Sequence, residues 1–269
     1  MSTFSANLKE RLLKIREMHP VIHHITNTVT INSCANVTSA MGASPIMAYT
    51  KEESNQVTAL SSALVLNTGT PDNNRFVATV LSGKEANLRG IPIVLDPVGV
   101  GATDFRKDHL KKIMKEVHPS IIKGNLAEIK TLSGLTLNNN KAIDSIETVD
   151  DSTMLTLEES AKKFNCVVAL TGKEDIITDS KRICRITRGT PMFTYISGAG
   201  CITSSVIGCF LAVEKDPYMA AIYALYTMSV CGEKAAAMSN GPADFYINLV
   251  NNLFNIHTNE IEEEGISFE

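Results

Sequence analysis

Tryptophan is absent from the 269 residues, and aromatic residues make up only 6%. That scarcity argues against a surface on which nucleic-acid bases stack. Charge points the same way, since 25 Lys and Arg face 29 Asp and Glu for a net charge of −4. The basic residues are scattered rather than striped, so nucleic acid is not expected as a partner. No apolar run comes near the roughly 18 residues of a spanning helix. The first residues carry Lys9, Glu10, Arg11, Lys14, Arg16 and Glu17 on a leucine-rich pattern. A secretory leader needs an uninterrupted apolar core there instead. A soluble, cytoplasmic protein with no membrane partner is the expectation.

Other signatures are missing too. The cysteines (Cys34, Cys166, Cys184, Cys201, Cys209 and Cys231) form no C-x-x-C pair, so reduced and mostly buried thiols are expected. His19 and His23 are four apart, but Pro20 lies between them and no companion ligand is near. Ordinary packing histidines are therefore expected rather than zinc ligands. No G-x-x-x-x-G-K-[ST] run exists, and no G-x-G-x-x-G run opens a helix, which removes the two commonest phosphate-binding loops.

What is present is an ordinary globular composition, 44% hydrophobic and 20% charged. With no Pro-, Gly- or Ser-rich linker and no internal repeat, residues 1–269 read as one domain. Val21–Ile25, Pro45–Ala48, Ala63–Leu66, Ile91–Leu95, Ser120–Ile122 and Val167–Leu170 look like buried strands. Near-continuous apolar runs suit a parallel sheet covered on both faces. Between them lie amphipathic stretches, such as Leu110, Ile113, Met114 and Val117 on one helical face. The fold class is α/β, with a central, mostly parallel sheet flanked by helices on both faces. Asp175–Asp179, Arg182–Arg188 and Met192–Ile196 predict a short antiparallel edge. Helices follow over Gly200–Val213, Pro217–Met238 and Pro242–Phe254. Residues 258–269, rich in glutamate, predict a solvated acidic tail.

Four strand ends carry polar groups. Ser197-Gly198-Ala199-Gly200-Cys201 ends an apparent strand and opens a helix. The free amides of Gly198, Ala199, Gly200 and Cys201, aided by the helix dipole, would form an anion hole. A glycine-rich packing connection is the plainer reading. Lys123-Gly124-Asn125-Leu126-Ala127-Glu128 follows another strand. Glu128 there suits a hydrated Mg²⁺ beside phosphates, with Lys123 as a strand-end cation. Equally, Asn125 and Glu128 form a capping box, and both readings hold only if the Glu128 side chain turns outward. Asp96 closes the strand before Pro97 and points into the crevice where α/β folds bind ligands. Thr171 ends a further strand in the same way. Together these groups fit phosphoryl transfer from a nucleotide, which asks for cations, a metal shell and an anion hole.

At this point the chain resembles the ribokinase-like superfamily, through Ser197–Cys201 and Asn125–Glu128. Within it, the chain resembles the hydroxyethylthiazole kinase family. The supporting runs are His24–Asn27, Met41–Met47, Leu66–Thr70, Leu95–Thr103, the Gly198–Cys201 bend and Gly241-Pro242. They span roughly residues 18 to 250 in family-like order and spacing. Sugar and pyrimidine kinases of the superfamily carry Asp where Cys201 stands. The resemblance implies ATP-dependent phosphorylation of the primary hydroxyl of 4-methyl-5-(2-hydroxyethyl)thiazole, with Mg²⁺ as cofactor. It implies that Met47 and Gly198 contact the thiazole, with Asn27 nearby. Lys123 and Thr171, with Asn125 beside them, are implied at ATP. Asp96 and Glu128 are implied to organise Mg²⁺, largely through water. A homotrimer with shared active sites is implied as well. Three departures stand out: Lys123 where many members have Arg, His23-His24 for His-Asn, and Ala243 for the last glycine of Gly-Pro-Gly.

The resemblance implies that Cys201 sits where superfamily relatives place the Asp base. A helix N-terminus is expected to lower its thiol pKa, and a loose transition state needs no strong base. The Gly198–Cys201 amides are expected to carry most of the stabilisation, with Cys201 a modest proton acceptor or a spacer. Competing readings are a hydroxymethylpyrimidine or other small-alcohol kinase, a hydrolase with Cys201 as nucleophile, and a binding regulator without turnover.

Overall fold

A computed structural model describes residues 3–134, 150–258, 261 and 263–269. Its strands are β1 (Val21–Ile25), β2 (Ser44–Ile46), β3 (Ala63–Asn67), β4 (Ile93–Asp96), β5 (Ile121–Gly124), β6 (Val167–Leu170), β7 (Asp175–Thr178), β8 (Ile183–Ile186) and β9 (Ile266–Phe268). They form one nine-stranded sheet in the order β2-β1-β3-β4-β5-β6-β7-β8-β9. Pairing is parallel from β2 to β6 and antiparallel from there to β9.

Alternate residues along the central strands feed two cores. Ile22, Ala63, Val65, Val94, Ile121 and Val167 face one way, with α1 (Thr3–Met18), α2 (Ile31–Met41), α8 (Ala199–Leu211), α9 (Pro217–Ala237) and α10 (Pro242–Asn255). Ile25, Leu64, Leu66, Ile93, Leu95 and Ile122 face the other. There they meet α4 (Asn73–Arg89), α5 (Asp104–Glu116), α6 (Leu126–Ser133) and α7 (Asp151–Phe164), while the short α3 (Ser54–Ala59) packs beside α4. Both faces being covered explains why these strands read as unbroken apolar runs. Helix α9 is apolar nearly all round and lies between α8 and α10, as a fully buried helix should.

Three sequence expectations need correction. Met192–Ile196 is not a strand: Pro191–Tyr195 forms a 3₁₀ turn, in which Thr190 Oγ1 accepts from Met192 N–H. Pro191 brings no N–H to a ladder, and Phe193 sits edge-on to Phe245. Consequently no strand precedes the Gly198 bend. The acidic tail is not wholly solvated either. Ile261 is buried and β9 pairs with β8, Ile266 opposite Ile186 and Phe268 opposite Cys184; residues 259, 260 and 262 lie outside the described set. The third antiparallel strand thus comes from far along the chain. Finally, the Pro45–Ala48 run shrinks to β2, an outer strand that is half-exposed, an edge position where a proline is tolerated.

The β2-β1-β3 order places a topological switch at β1 and β3. Ligand crevices in open α/β sheets lie beyond the carboxyl ends of strands at such points.

Candidate active site

Each of the central strands delivers a polar side chain to this crevice. Asn67 ends β3 and Asp96 ends β4, opposite each other in register. Asp96 is sealed from solvent. It accepts from Asn67 Nδ2 at 2.9 Å and from Ser204 Oγ at 2.8 Å. Lys123 of β5 is also buried, its Nζ 3.4 Å from either Asp96 oxygen. Burial opposes its charge, but Asp96, Glu128 and Cys201 outweigh that and hold its pKa above the ordinary lysine value.

Asn125 and Glu128 form the capping box of α6. Asn125 Oδ1 accepts from Glu128 N–H, and Glu128 Oε2 accepts from Asn125 N–H, both at 2.9 Å. The second Glu128 oxygen accepts from Gly99 N–H at 2.9 Å. Glu128 therefore does not turn outward as the metal reading required. That condition was too strict, because an ionised carboxylate has about four acceptor sites and the backbone uses two. Burial and the neighbouring Asp96 push Glu128 up, against Lys123 and the two backbone donors.

Helix α8 begins without a side-chain cap. Gly198 stands at its N-cap with φ of +80° and offers no side-chain acceptor. A Cβ there would meet Thr30 Cγ2 at 2.0 Å, so the close approach of α2 demands glycine. Two residues on, a Cβ on Gly200 would lie 2.8 Å from Lys123 Nζ. The strand-end ammonium and the uncapped helix start thus share one small space, a pairing that favours negative charge.

Cys201, in that first turn, is buried. Asn27 Nδ2 and Asn67 Nδ2 each donate to its sulfur at 3.2 Å. The sequence expectation of a lowered thiol pKa is overturned: burial pushes it up and Asp96 adds to this, with Lys123 only partly opposing. Asn27 follows β1, and its Oδ1 accepts from Val29 and Thr30 N–H at 3.0 and 3.1 Å.

Thr171 and Met47 stand outside this hydrogen-bonded network. Thr171, past the end of β6, donates its N–H to Gly124 O at 2.9 Å. Met47 follows β2 and is half-buried; the next carbonyl, of Ala48, meets His23 Nε2 at 2.6 Å. His23 is thus a packing residue, its Nδ1 2.8 Å from Thr58 Oγ1.

Sequence reasoning missed four contributors. Asn67 ends an apolar strand just as Asp96 does, which was the available signal. Ser204 lies three residues after Cys201 and so on the same helix face. Arg106 donates to the carbonyls of Thr68, Val98 and Gly69 at 3.2, 3.1 and 2.9 Å, fastening two strand-end loops together. Asp175 accepts from Gly172 N–H at 3.0 Å beside Thr171.

Comparison with known proteins places the chain in a family. The model of the hydroxyethylthiazole kinase family matches residues 12–259. A hydroxyethylthiazole kinase of Thermoanaerobacter sp. strain X514 is 42% identical over 260 residues, covering 96% of this chain and 98% of its own. The solved structure of the Pyrococcus horikoshii OT3 hydroxyethylthiazole kinase protein superposes with a TM-score of 0.87 at 32% identity, covering 98% of this chain and 99% of that one. A ribokinase-like superfamily protein from Enterococcus faecalis V583 shares the fold at 13% identity, with a TM-score of 0.63 over 91% of this chain and 93% of its own. On the family match and the extent of these similarities, the chain belongs to the hydroxyethylthiazole kinase family.

Proposed function

We propose that the chain phosphorylates the primary hydroxyl of 4-methyl-5-(2-hydroxyethyl)thiazole with ATP, as one kinase domain acting in thiazole salvage for thiamine. One observation carries the reading: the uncapped amides of Gly198–Cys201 open beside the buried Lys123 ammonium. Amide donors and a cation in a water-poor cleft stabilise the oxygens of a transferring phosphoryl group.

In the reaction, the alcohol oxygen attacks the terminal phosphorus and the bond to ADP breaks. Gly198, Ala199 and Gly200 supply amides to the moving phosphoryl oxygens. Lys123, Thr171 and Asn125 hold the ATP side, while Met47, Gly198 and Asn27 hold the thiazole. Cys201 stays a neutral thiol because burial raises its pKa, so it acts as a spacer rather than a base. The alcohol proton passes to an oxygen of the transferred phosphoryl group as the new O–P bond forms. The hydroxyl proton leaves late in a loose transition state.

Asp96 and Glu128 suit Mg²⁺. Both are buried carboxylates beside strand ends, and Glu128 keeps acceptor sites that its two backbone donors do not use. Hard cations prefer such oxygen ligands with waters retained. When bound, the cation would neutralise charge on the ATP phosphates. The family resemblance also supports a homotrimer with pockets shared between subunits, which light scattering at several concentrations tests. Among the described residues no helix is long and apolar enough to cross a membrane, which is compatible with the cytoplasmic location proposed.

The test is a coupled ADP-release assay. Adding the thiazole to protein and MgATP should start ADP formation. Silence with thiazole but activity with hydroxymethylpyrimidine would overturn the substrate assignment in favour of the other alcohol.

A further inference from the structure

Asparagine amides have a donor end and an acceptor end, and partners that can only donate settle which is which. Gly69 N–H donates to Asn67 Oδ1 at 2.9 Å. Val29 and Thr30 N–H donate to Asn27 Oδ1. Neither amide can be reversed without setting N–H against N–H. Both Nδ2 groups must therefore point inward, and their four hydrogens are fully used: one on Asn67 Oδ1, one on Asp96 Oδ2 and two on the Cys201 sulfur.

Asn67 is the junction of this network. Its single amide touches Asp96, on the side proposed for the metal, and Cys201, on the side proposed for the alcohol. Asp96 is held from three directions, by Asn67, Ser204 and Lys123. The Cys201 sulfur takes an N–H from each of the two amides and also meets the Thr30 hydroxyl. The register that sets Asn67 opposite Asp96 across β3 and β4 places the amide where it can reach both.

We infer that Asn67 is a positioning residue of the kinase reaction, whose locked amide sets the Cys201 sulfur and the Asp96 carboxylate at fixed places relative to each other. The inference rests on the kinase reading above. It assigns Asn67 no contact with substrate; the residue acts through the two groups it holds.

The test uses Asn67→Asp, which keeps the shape but turns the inward donor into an anionic oxygen facing Asp96 and the sulfur. Turnover should fall by about a hundredfold, with the KM for the thiazole changed by less than about threefold. Alkylation of Cys201 by iodoacetamide, followed by peptide mass spectrometry on nucleotide-free protein, should slow about fivefold or more, because the new charge opposes the thiolate. A role confined to holding the fold predicts the opposite, a loosened site in which Cys201 reacts faster. Unchanged or faster alkylation, or unchanged turnover, overturns the inference. If Asn67→Asp does not fold, Asn67→Ser decides. Its loss of turnover at near-normal melting temperature should shrink at least about threefold in a Cys201→Ala background; an equal loss in both backgrounds overturns the inference. Wild-type protein inactive with the thiazole would sink the kinase reading itself, whereas active wild type with an indifferent Asn67→Asp sinks only this step.

Discussion

The Lys123 ammonium stands 3.4 Å from each carboxylate oxygen of Asp96, and neither side chain reaches solvent. Removing one partner of a buried ion pair leaves a stranded charge, which costs about 3–5 kcal/mol. Lys123→Met is therefore expected to lower the unfolding free energy by about that amount. Adding Asp96→Asn in the same chain should return part of it. Urea denaturation of the two single variants and the double variant checks both statements.

Gly198→Ala tests the bend itself. A non-glycine residue at φ of +80° costs about 1–2 kcal/mol from backbone conformation alone. The added methyl would also meet Thr30 Cγ2 at 2.0 Å. Thr30→Ser removes that methyl and should recover the steric part of the loss but not the conformational part. Melting temperatures of the single and double variants separate the two.

Gly200→Ala probes the phosphate side. Its methyl would arrive 2.8 Å from Lys123 Nζ and push the ammonium aside. The KM for ATP is expected to rise about tenfold, with a smaller change for the thiazole. Steady-state kinetics with each substrate varied in turn reads this directly.

Cys201→Ser and Cys201→Asp should both keep measurable turnover, within about a hundredfold of wild type. Each presents an oxygen to the N–H groups of Asn27 and Asn67 that now meet sulfur. Complete inactivity of both would contradict a secondary role for the thiol and a leading one for the amides.

Asp175 gives a pH signature. Burial pushes it up to about 7, against Gly172 N–H and the charge of Lys123, whereas an unfolded Asp titrates near 3.9. Between those values the folded chain keeps a proton that the unfolded chain has released. Stability from this group therefore falls as pH rises from about 4 to about 7. Asp175→Asn keeps the acceptor for Gly172 and removes the titration. Its melting temperature should gain on wild type across that window, with the smallest difference near pH 4.

Much of this site was legible because a parallel sheet buried on both faces writes itself as short apolar runs, and the polar residue ending each run marks the crevice. Asp96 and Lys123 were read that way and the structure sets them side by side, whereas Thr171, read by the same rule, stands outside their network. Asn67 escaped notice because its meaning depends on an amide 134 residues from Cys201 in sequence and on strand register. Composition misled at the C-terminus, where glutamates suggested a solvated tail. The alternation of Ile266, Ser267 and Phe268 is too short to register, yet β8 supplies its partner. Met192–Ile196 erred the other way: a strand-like pattern yielded to Pro191 and to Phe193 packing on Phe245. The Cys201 thiol shows a similar limit, since a sequence reveals a helix start but not how deeply the sulfur is sunk.

The Thr30 methyl occupies the gap that a side chain at Gly198 would otherwise fill, and it works as a wedge between the beginnings of α2 and α8. The turn that leads into α2 is tied to Asn27 through the N–H groups of Val29 and Thr30. The starts of the two helices are thereby set against each other through one residue, Thr30. Filling either half of the crevice should stiffen its neighbour, so amide exchange would slow at both mouths together.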